Sequence, residues 1–143
     1  MGKINIKINN VDYQVDEGIT VLQACHDVGI KIPTLCWMRE MNQIGACRIC
    51  VVEVKGARSL VTACVYPVSP DMEVTTNSDK VMKARKMNLE LLLSTHDQNC
   101  LSCVRSTDCE LQTLSQEYGV NGMRFIGAKP RHELETRDRK SVV

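Results

Sequence analysis

The sequence predicts an α+β fold with its strands early and its helices late, and three observations point there. The N-terminal residues alternate apolar and polar, a closely spaced cysteine pair runs into the apolar stretch Val51–Val54, and from about residue 78 apolar residues recur at helical spacing. At 143 residues the chain is long enough for one compact domain or two small ones.

The elements follow in order. Ile4, Ile6 and Ile8 share one face with Lys3, Asn5 and Lys7 opposite, which is strand periodicity. Asn9-Asn10 is a turn signal, and Val11, Tyr13 and Val15 alternate again, so Lys3 to Val15 reads as a β-hairpin. Thr20 followed by Gln23 fits a capping box for a short helix from about Val21 to Val28, with Gly29 where a C-terminal cap belongs. Pro33 forbids its continuation. Thr34 to Ile49 has no clean period. Cys50 to Val54 reads as a buried strand, Lys55-Gly56-Ala57-Arg58 as a turn, and Leu60 to Cys64 as the returning strand, with Cys64 at its end. Met72 to Val74 reads as a short edge strand. Ser78 or Asn77 caps a helix running to about Leu93. Ala84, Met87 and Leu91 lie on one of its stripes, and Met82, Leu89 and Leu93 on the neighbouring one. Cys100 to Thr107 is a cysteine-rich loop. Thr107 and Glu110 match a second capping box, opening a helix from about Asp108 to Tyr118 with Gly119 behind it. Lys129 to Lys140 mixes both charge signs densely, as exposed tails and linkers do. The boundary between the β-rich and helical parts falls near residues 75–80.

Composition narrows the function. The net charge of +1, from 18 Lys+Arg against 17 Asp+Glu, argues against a nucleic-acid-binding surface. With 43% hydrophobic and 24% charged residues the chain is too apolar for disorder, and no apolar run approaches the roughly 18 residues that cross a bilayer. Met1-Gly2-Lys3-Ile4-Asn5-Ile6 shows no secretory pattern, and Ile6 breaks the myristoylation pattern, so a cytoplasmic protein is expected. There is no G-x-S-x-G, P-loop or G-x-G-x-x-G and no distinctive carboxylate pair, so no catalytic residue is assigned. Eight cysteines are many for such a chain, and without a secretory signal metal binding is a better reading than disulfides.

Seven of the eight fall into two sets. Cys36, Cys47, Cys50 and Cys64 are spaced C-x10-C-x2-C-x13-C. A C-x2-C pair in a tight loop can put two thiolates on one metal centre. Gly45 and Ala46, just before it, are small enough to let backbone N–H groups approach sulfur. Scattered core cysteines, a structural zinc site and an iron–sulfur cluster all fit the spacing, and the long wrapping loop favours the cluster. His96, Cys100, Cys103 and Cys109 form H-x3-C-x2-C-x5-C, where a Cys3His zinc site also fits the chemistry. As a cluster ligand, neutral imidazole in place of thiolate would raise the potential. Cys25 reads as a small hydrophobe in the core, and His26 and His132 as surface residues. Trp37, beside Cys36, fits equally a shield over a cluster and a core side chain.

Two longer runs carry a resemblance. Ile32-Pro33-Thr34-Leu35-Cys36, Gly45-Ala46-Cys47-Arg48-Ile49-Cys50-Val51-Val52-Glu53-Val54 and Ala63-Cys64 resemble a [2Fe–2S] ferredoxin-like domain of the kind found at the N-terminus of electron-transfer subunits. Leu91-Leu92-Leu93-Ser94-Thr95-His96, Cys100-Leu101-Ser102-Cys103 and Cys109-Glu110-Leu111-Gln112 resemble the His/Cys3-ligated [4Fe–4S] module that follows it. The pairing is similar to the N-terminal iron–sulfur module of NADH-dependent, electron-bifurcating [FeFe]-hydrogenase catalytic subunits. It is also similar to that of the large iron–sulfur subunit of complex I and of NAD-dependent formate dehydrogenase.

The resemblance implies a β-grasp [2Fe–2S] domain over residues 1–77, a small helical [4Fe–4S] module over 78–122, and a polar tail or linker to a missing domain over 123–143. It implies that Cys36 and Cys47 hold one iron of the [2Fe–2S] cluster and Cys50 and Cys64 the other, and that His96, Cys100, Cys103 and Cys109 hold the [4Fe–4S] cluster. The implied function is a relay of single electrons between a flavin-bearing, NADH-oxidising subunit and a hydrogenase or dehydrogenase catalytic module. The alternatives are the equivalent module of complex I or formate dehydrogenase, and a non-redox, zinc-stabilised interaction domain. No cysteine follows Cys109, so the chain is expected to be a fragment or a separately encoded subunit that cannot activate hydrogen by itself.

Overall fold

A computed structural model describes residues 2–39, 41, 43–122 and 124–128. The chain opens with an antiparallel hairpin of β1 (Lys3–Ile8) and β2 (Val11–Asp16), paired from Lys3 with Asp16 to Ile8 with Val11. Asn9 and Asn10 both take positive φ, 51° and 68°. Two consecutive left-handed residues give the tight turn whose twist matches the strands, and asparagine tolerates that region. Helix α1 (Val21–Asp27) follows with the expected capping box. The Gln23 N–H donates to the Thr20 hydroxyl at 3.3 Å, and the Thr20 N–H to the Gln23 side-chain oxygen at 2.9 Å. Gly29 takes φ 80° just past its end, where a Cβ would be strained.

Strands β3 (Val51–Val54), β4 (Val61–Thr62) and β5 (Glu73–Thr75) complete a five-stranded sheet in the order β2-β1-β5-β3-β4. Among the described strands β1 and β5 pair parallel and the other pairs are antiparallel. A hairpin, a helix across the sheet and a last strand inserted parallel to the first make the β-grasp arrangement. β5 is therefore interior, not the expected edge strand. Three residues reveal little about their partners, and the parallel slot beside β1 is filled only after a long connection. The return strand is also shorter than expected, so Cys64 sits in the turn after β4 and not at a strand end.

Ile6, Ile8, Val52 and Val74 from the sheet close on Val21, Leu22, Ala24 and Cys25 of α1 in the main core. Removing such side chains from water contributes roughly 1.5–3 kcal/mol for each Val- or Leu-sized residue.

Helix α2 (Asp79–Thr95) starts at Ser78, whose hydroxyl accepts from the Val81 N–H at 3.3 Å. Its buried residues are Val81, Arg85, Leu89, Glu90 and Ser94, whereas Met82, Met87 and Leu91 are exposed. The apolar stripes of the sequence thus misplace the inward face, which carries two charged residues. Helix α3 (Glu110–Glu117) is capped at Cys109 and makes no side-chain cap bond, so the Thr107/Glu110 capping box does not form. A second, smaller core of Ile49, Leu89 and Leu114 joins the loop before β3 to both helices, with Leu35, Cys47, Leu92 and Tyr118 against it. Residues 124–128 lie along α2: Arg124 ion-pairs with the buried Glu90 at 2.6 Å, and the Gly127 N–H donates to Ser94 O at 3.3 Å. The rest of the expected tail, 123 and 129–143 with His132, lies outside the described residues.

Candidate metal centres

The first cysteine set gathers at one end of the sheet. Cys36 comes from the loop after α1, Cys47 and Cys50 from the turn entering β3, and Cys64 from the turn leaving β4. Cys50 and Cys64 are buried, and Cys36 and Cys47 half-buried. The Ala63 N–H donates to Cys50 O at 3.1 Å, tying the two turns together. Gly45 takes φ 62° and Arg48 φ 57°, so the backbone on either side of Cys47 turns through the left-handed region. A Cβ on Gly45 would be strained at that φ and would also come to 3.3 Å from a Val65 methyl, which would have to give way.

That loop geometry aims amides at sulfur. The Cys47 N–H lies 3.5 Å from Cys36 Sγ. Burial pushes the Cys36 thiol up, but the Cys47 N–H, a hydrogen bond with the Cys47 thiol and the Ala46 N–H together outweigh it and hold the thiol below its ordinary value. Burial dominates at Cys47, whose thiol is raised although the Ile49 and Leu35 N–H groups favour its thiolate. Burial pushes the Cys64 thiol up to about 12, helped by a hydrogen bond with the Cys50 thiol and by the negative charge of Cys50, Cys36 and Cys47. The four sulfurs thus share one electrostatic neighbourhood that resists four bare thiolates and asks for metal charge. Amides directed at sulfur and four free thiols fit an iron–sulfur cluster.

The second set forms where α2 stops. His96 is the C-cap of α2, and its N–H donates to Leu93 O at 3.2 Å. Cys100 opens a short 3-10 turn, Cys100–Ser102, which Cys103 ends, and Cys109 is the N-cap of α3. His96, Cys100 and Cys109 line one cavity of about 380 Å³, floored by Leu93, Leu111 and Val120. Cys103 is not on its wall but sits, exposed, on the adjoining turn. Three of the four sequence candidates therefore share a cavity of cluster-like donor chemistry. Among the described residues no three His, Cys, Asp or Glu side chains close around a position for a single metal ion.

The remaining candidates fall where the sequence placed them or nearby. Cys25 is fully buried and its thiol is pushed up to about 11 by burial. His26 is exposed. Trp37 packs against the main core, with its indole N–H buried and unpartnered.

Sequence reasoning missed two residues of α2. Asn88 donates from Nδ2 to Arg48 O at 2.6 Å, within the Cys47–Cys50 turn, and Arg85 donates from Nη2 to Val51 O at 2.9 Å, just past it. The signal was the spacing Val81-Arg85-Leu89, which sets an arginine in an apolar row.

The family described as 2Fe-2S iron-sulfur cluster binding domain matches residues 2–79. The NADH-ubiquinone oxidoreductase-G iron-sulfur binding region matches residues 85–124. The NADP-reducing hydrogenase subunit HndD of Solidesulfovibrio fructosivorans is 42% identical over 137 residues, covering 92% of this chain and 23% of that protein. The NADH-ubiquinone oxidoreductase 75 kDa subunit of Reclinomonas americana is 38% identical over 122 residues, covering 85% and 18%. The NADPH-Fe(3+) oxidoreductase subunit alpha of Geobacter sulfurreducens is 37% identical over 124 residues, covering 82% and 15%. The chain thus spans less than a quarter of the length of each of these relatives. Among solved structures, a chain of the NAD+-reducing [NiFe]-hydrogenase in its H2-reduced state superposes with a TM-score of 0.84 at 32% identity, covering 91% of this chain and 55% of that one. The chain belongs to the family of 2Fe-2S iron–sulfur cluster binding domains, extended by a [4Fe–4S]-binding region, and is an iron–sulfur electron-transfer module with one cluster of each kind.

Proposed function

We propose that this chain relays single electrons between a flavin-bearing, NADH-oxidising subunit and a hydrogenase catalytic module in the cytoplasm. Cys36, Cys47, Cys50 and Cys64 hold the [2Fe–2S] cluster, and His96, Cys100, Cys103 and Cys109 the [4Fe–4S] cluster. Residues 1–77 serve the first centre and 78–122 the second. The observation that carries this reading is the convergence of four free thiols in turns whose amides already point at sulfur. The clusters, when bound, supply one-electron chemistry at a potential the protein tunes.

The residues of the chain do the rest. Cys50 and Cys64, buried at the head of the sheet, exclude water from one side of the first centre. The Cys47 and Ala46 amides stabilise charge on the Cys36 sulfur. His96 must be deprotonated to serve as a ligand, and its place at the end of α2 sets where the second centre lies. No described helix is long and apolar enough to cross a membrane. A second reading, the equivalent module of a complex I enzyme, is favoured by the 38% identity to the 75 kDa subunit.

Chemical analysis of protein purified without oxygen tests the proposal. Iron and acid-labile sulfide should each be found at about six per chain. One zinc per cysteine set, in a colourless protein, would overturn it.

A further inference from the structure

Arg85 heads the fully buried side chains of the described structure, with 1% of its surface exposed. Arginine brings a delocalised positive charge into that position. Nη2 donates to Val51 O at 2.9 Å and Nη1 to Tyr118 Oη at 3.1 Å, while the buried Nε–H has no partner. The ion pairs among the described residues are Lys7–Asp12, His26–Asp27, Lys55–Glu73, Lys80–Glu53 and Arg124–Glu90, and none includes Arg85. A buried cation without an anion is costly, and a buried charge is retained where something opposite in sign compensates it.

The anion that fits is the first metal centre. Val51 directly follows Cys50, so Arg85 grips the first residue past the Cys47–Cys50 turn, and one turn along α2 Asn88 grips Arg48 O within it. Four thiolates, two sulfides and two ferric irons sum to about −2, and one added electron makes the sum about −3. That electron comes from the upstream donor of the relay, no bond is made or broken, and no proton has to move. A fixed positive charge behind the turn favours the more negative state.

We propose that Arg85 is the buried counter-charge of the [2Fe–2S] centre, a positioning residue that holds the Cys47–Cys50 turn from behind and raises the potential at which the centre accepts its electron. This rests on the proposed ligand set for that centre.

The test is an EPR-monitored redox titration of the chain carrying both clusters. The variants are Arg85→Gln and Arg85→Lys. Arg85→Gln should weaken electron uptake at the [2Fe–2S] centre at least tenfold, a drop of about 59 mV for one electron, with a smaller change at the [4Fe–4S] centre. Arg85→Lys, which keeps the charge but not the forked grip, should stay near wild type. An Arg85→Gln protein titrating at the wild-type potential overturns the proposal. So does an Arg85→Lys protein that falls as far as Arg85→Gln, because the effect then belongs to the grip alone. If Arg85→Gln does not fold, Arg85→Lys decides by the same criterion: a wild-type potential supports the counter-charge and a tenfold loss refutes it. A wild-type chain with no [2Fe–2S] signal fails the ligand set instead, and the inference falls with it.

Discussion

His96 and Cys25 show what a single residue's place decides. His96 is exposed at the end of α2 and faces the cavity shared with Cys100 and Cys109. Replacing it with alanine should abolish the reduced [4Fe–4S] EPR signal while leaving that of the [2Fe–2S] centre intact. Survival of both signals would remove His96 from the ligand set. Cys25 is a buried neutral thiol, raised to about 11 from 9.0 by burial. In the unfolded chain it ionises first as pH rises, so the stability it contributes is intact below about pH 9 and is lost between about pH 9 and 11. Cys25→Ala should therefore lose less stability than wild type across that window, by on the order of 2 kcal/mol. Denaturant melts at pH 8 and pH 11 check this. At this scale the sequence was informative about chemistry: cysteine spacing picked out the four thiols that gather at the end of the sheet, with Cys25 outside them, whereas Cys103 of the second set lies off the cavity wall. Arg85 was passed over because hydropathy patterning assigns an arginine to the surface, although its place in the row Val81-Arg85-Leu89 was the trace of its burial in the sequence.

At the scale of elements, legibility followed locality. The hairpin turn at Asn9-Asn10 and the Thr20/Gln23 box are encoded within a few residues, and both form as expected. Thr20→Ala removes the cap of α1 and should cost about 1 kcal/mol, read as a lower unfolding midpoint with both clusters retained. What failed was non-local. β5 shows no sign in three residues that β1 and β3 flank it. The Thr107/Glu110 match is a capping box in letters only, because the chain spends those residues bringing Cys109 to the helix start. The inward face of α2 was misread because its partners, the Cys47–Cys50 turn and the Arg124 segment, lie 34 or more positions away in sequence.

At the scale of the molecule, the two parts share a core instead of meeting at a flexible joint. Ile49 lies between two cysteines of the first set, yet packs with Leu89 of α2 and Leu114 of α3, the helix whose cap is a cysteine of the second set. Leu89→Ala should therefore cost about 2–5 kcal/mol and accelerate loss of both clusters together, followed as bleaching of visible absorbance under a chelator. Loss of the second cluster alone would mean the halves are mechanically separate.

The helix that grips the first turn at Asn88 and ends in His96 also acts as a ruler. Eight residues separate the two positions, roughly 12 Å along a helix axis. One residue inserted after Leu91 would swing His96 by about 100° and advance it by about 1.5 Å, leaving Asn88 and the first turn undisturbed. Length variation should thus be forbidden between Asn88 and His96 while remaining cheap at the exposed Lys55–Arg58 turn. An insertion series assayed for each cluster separately would show the difference.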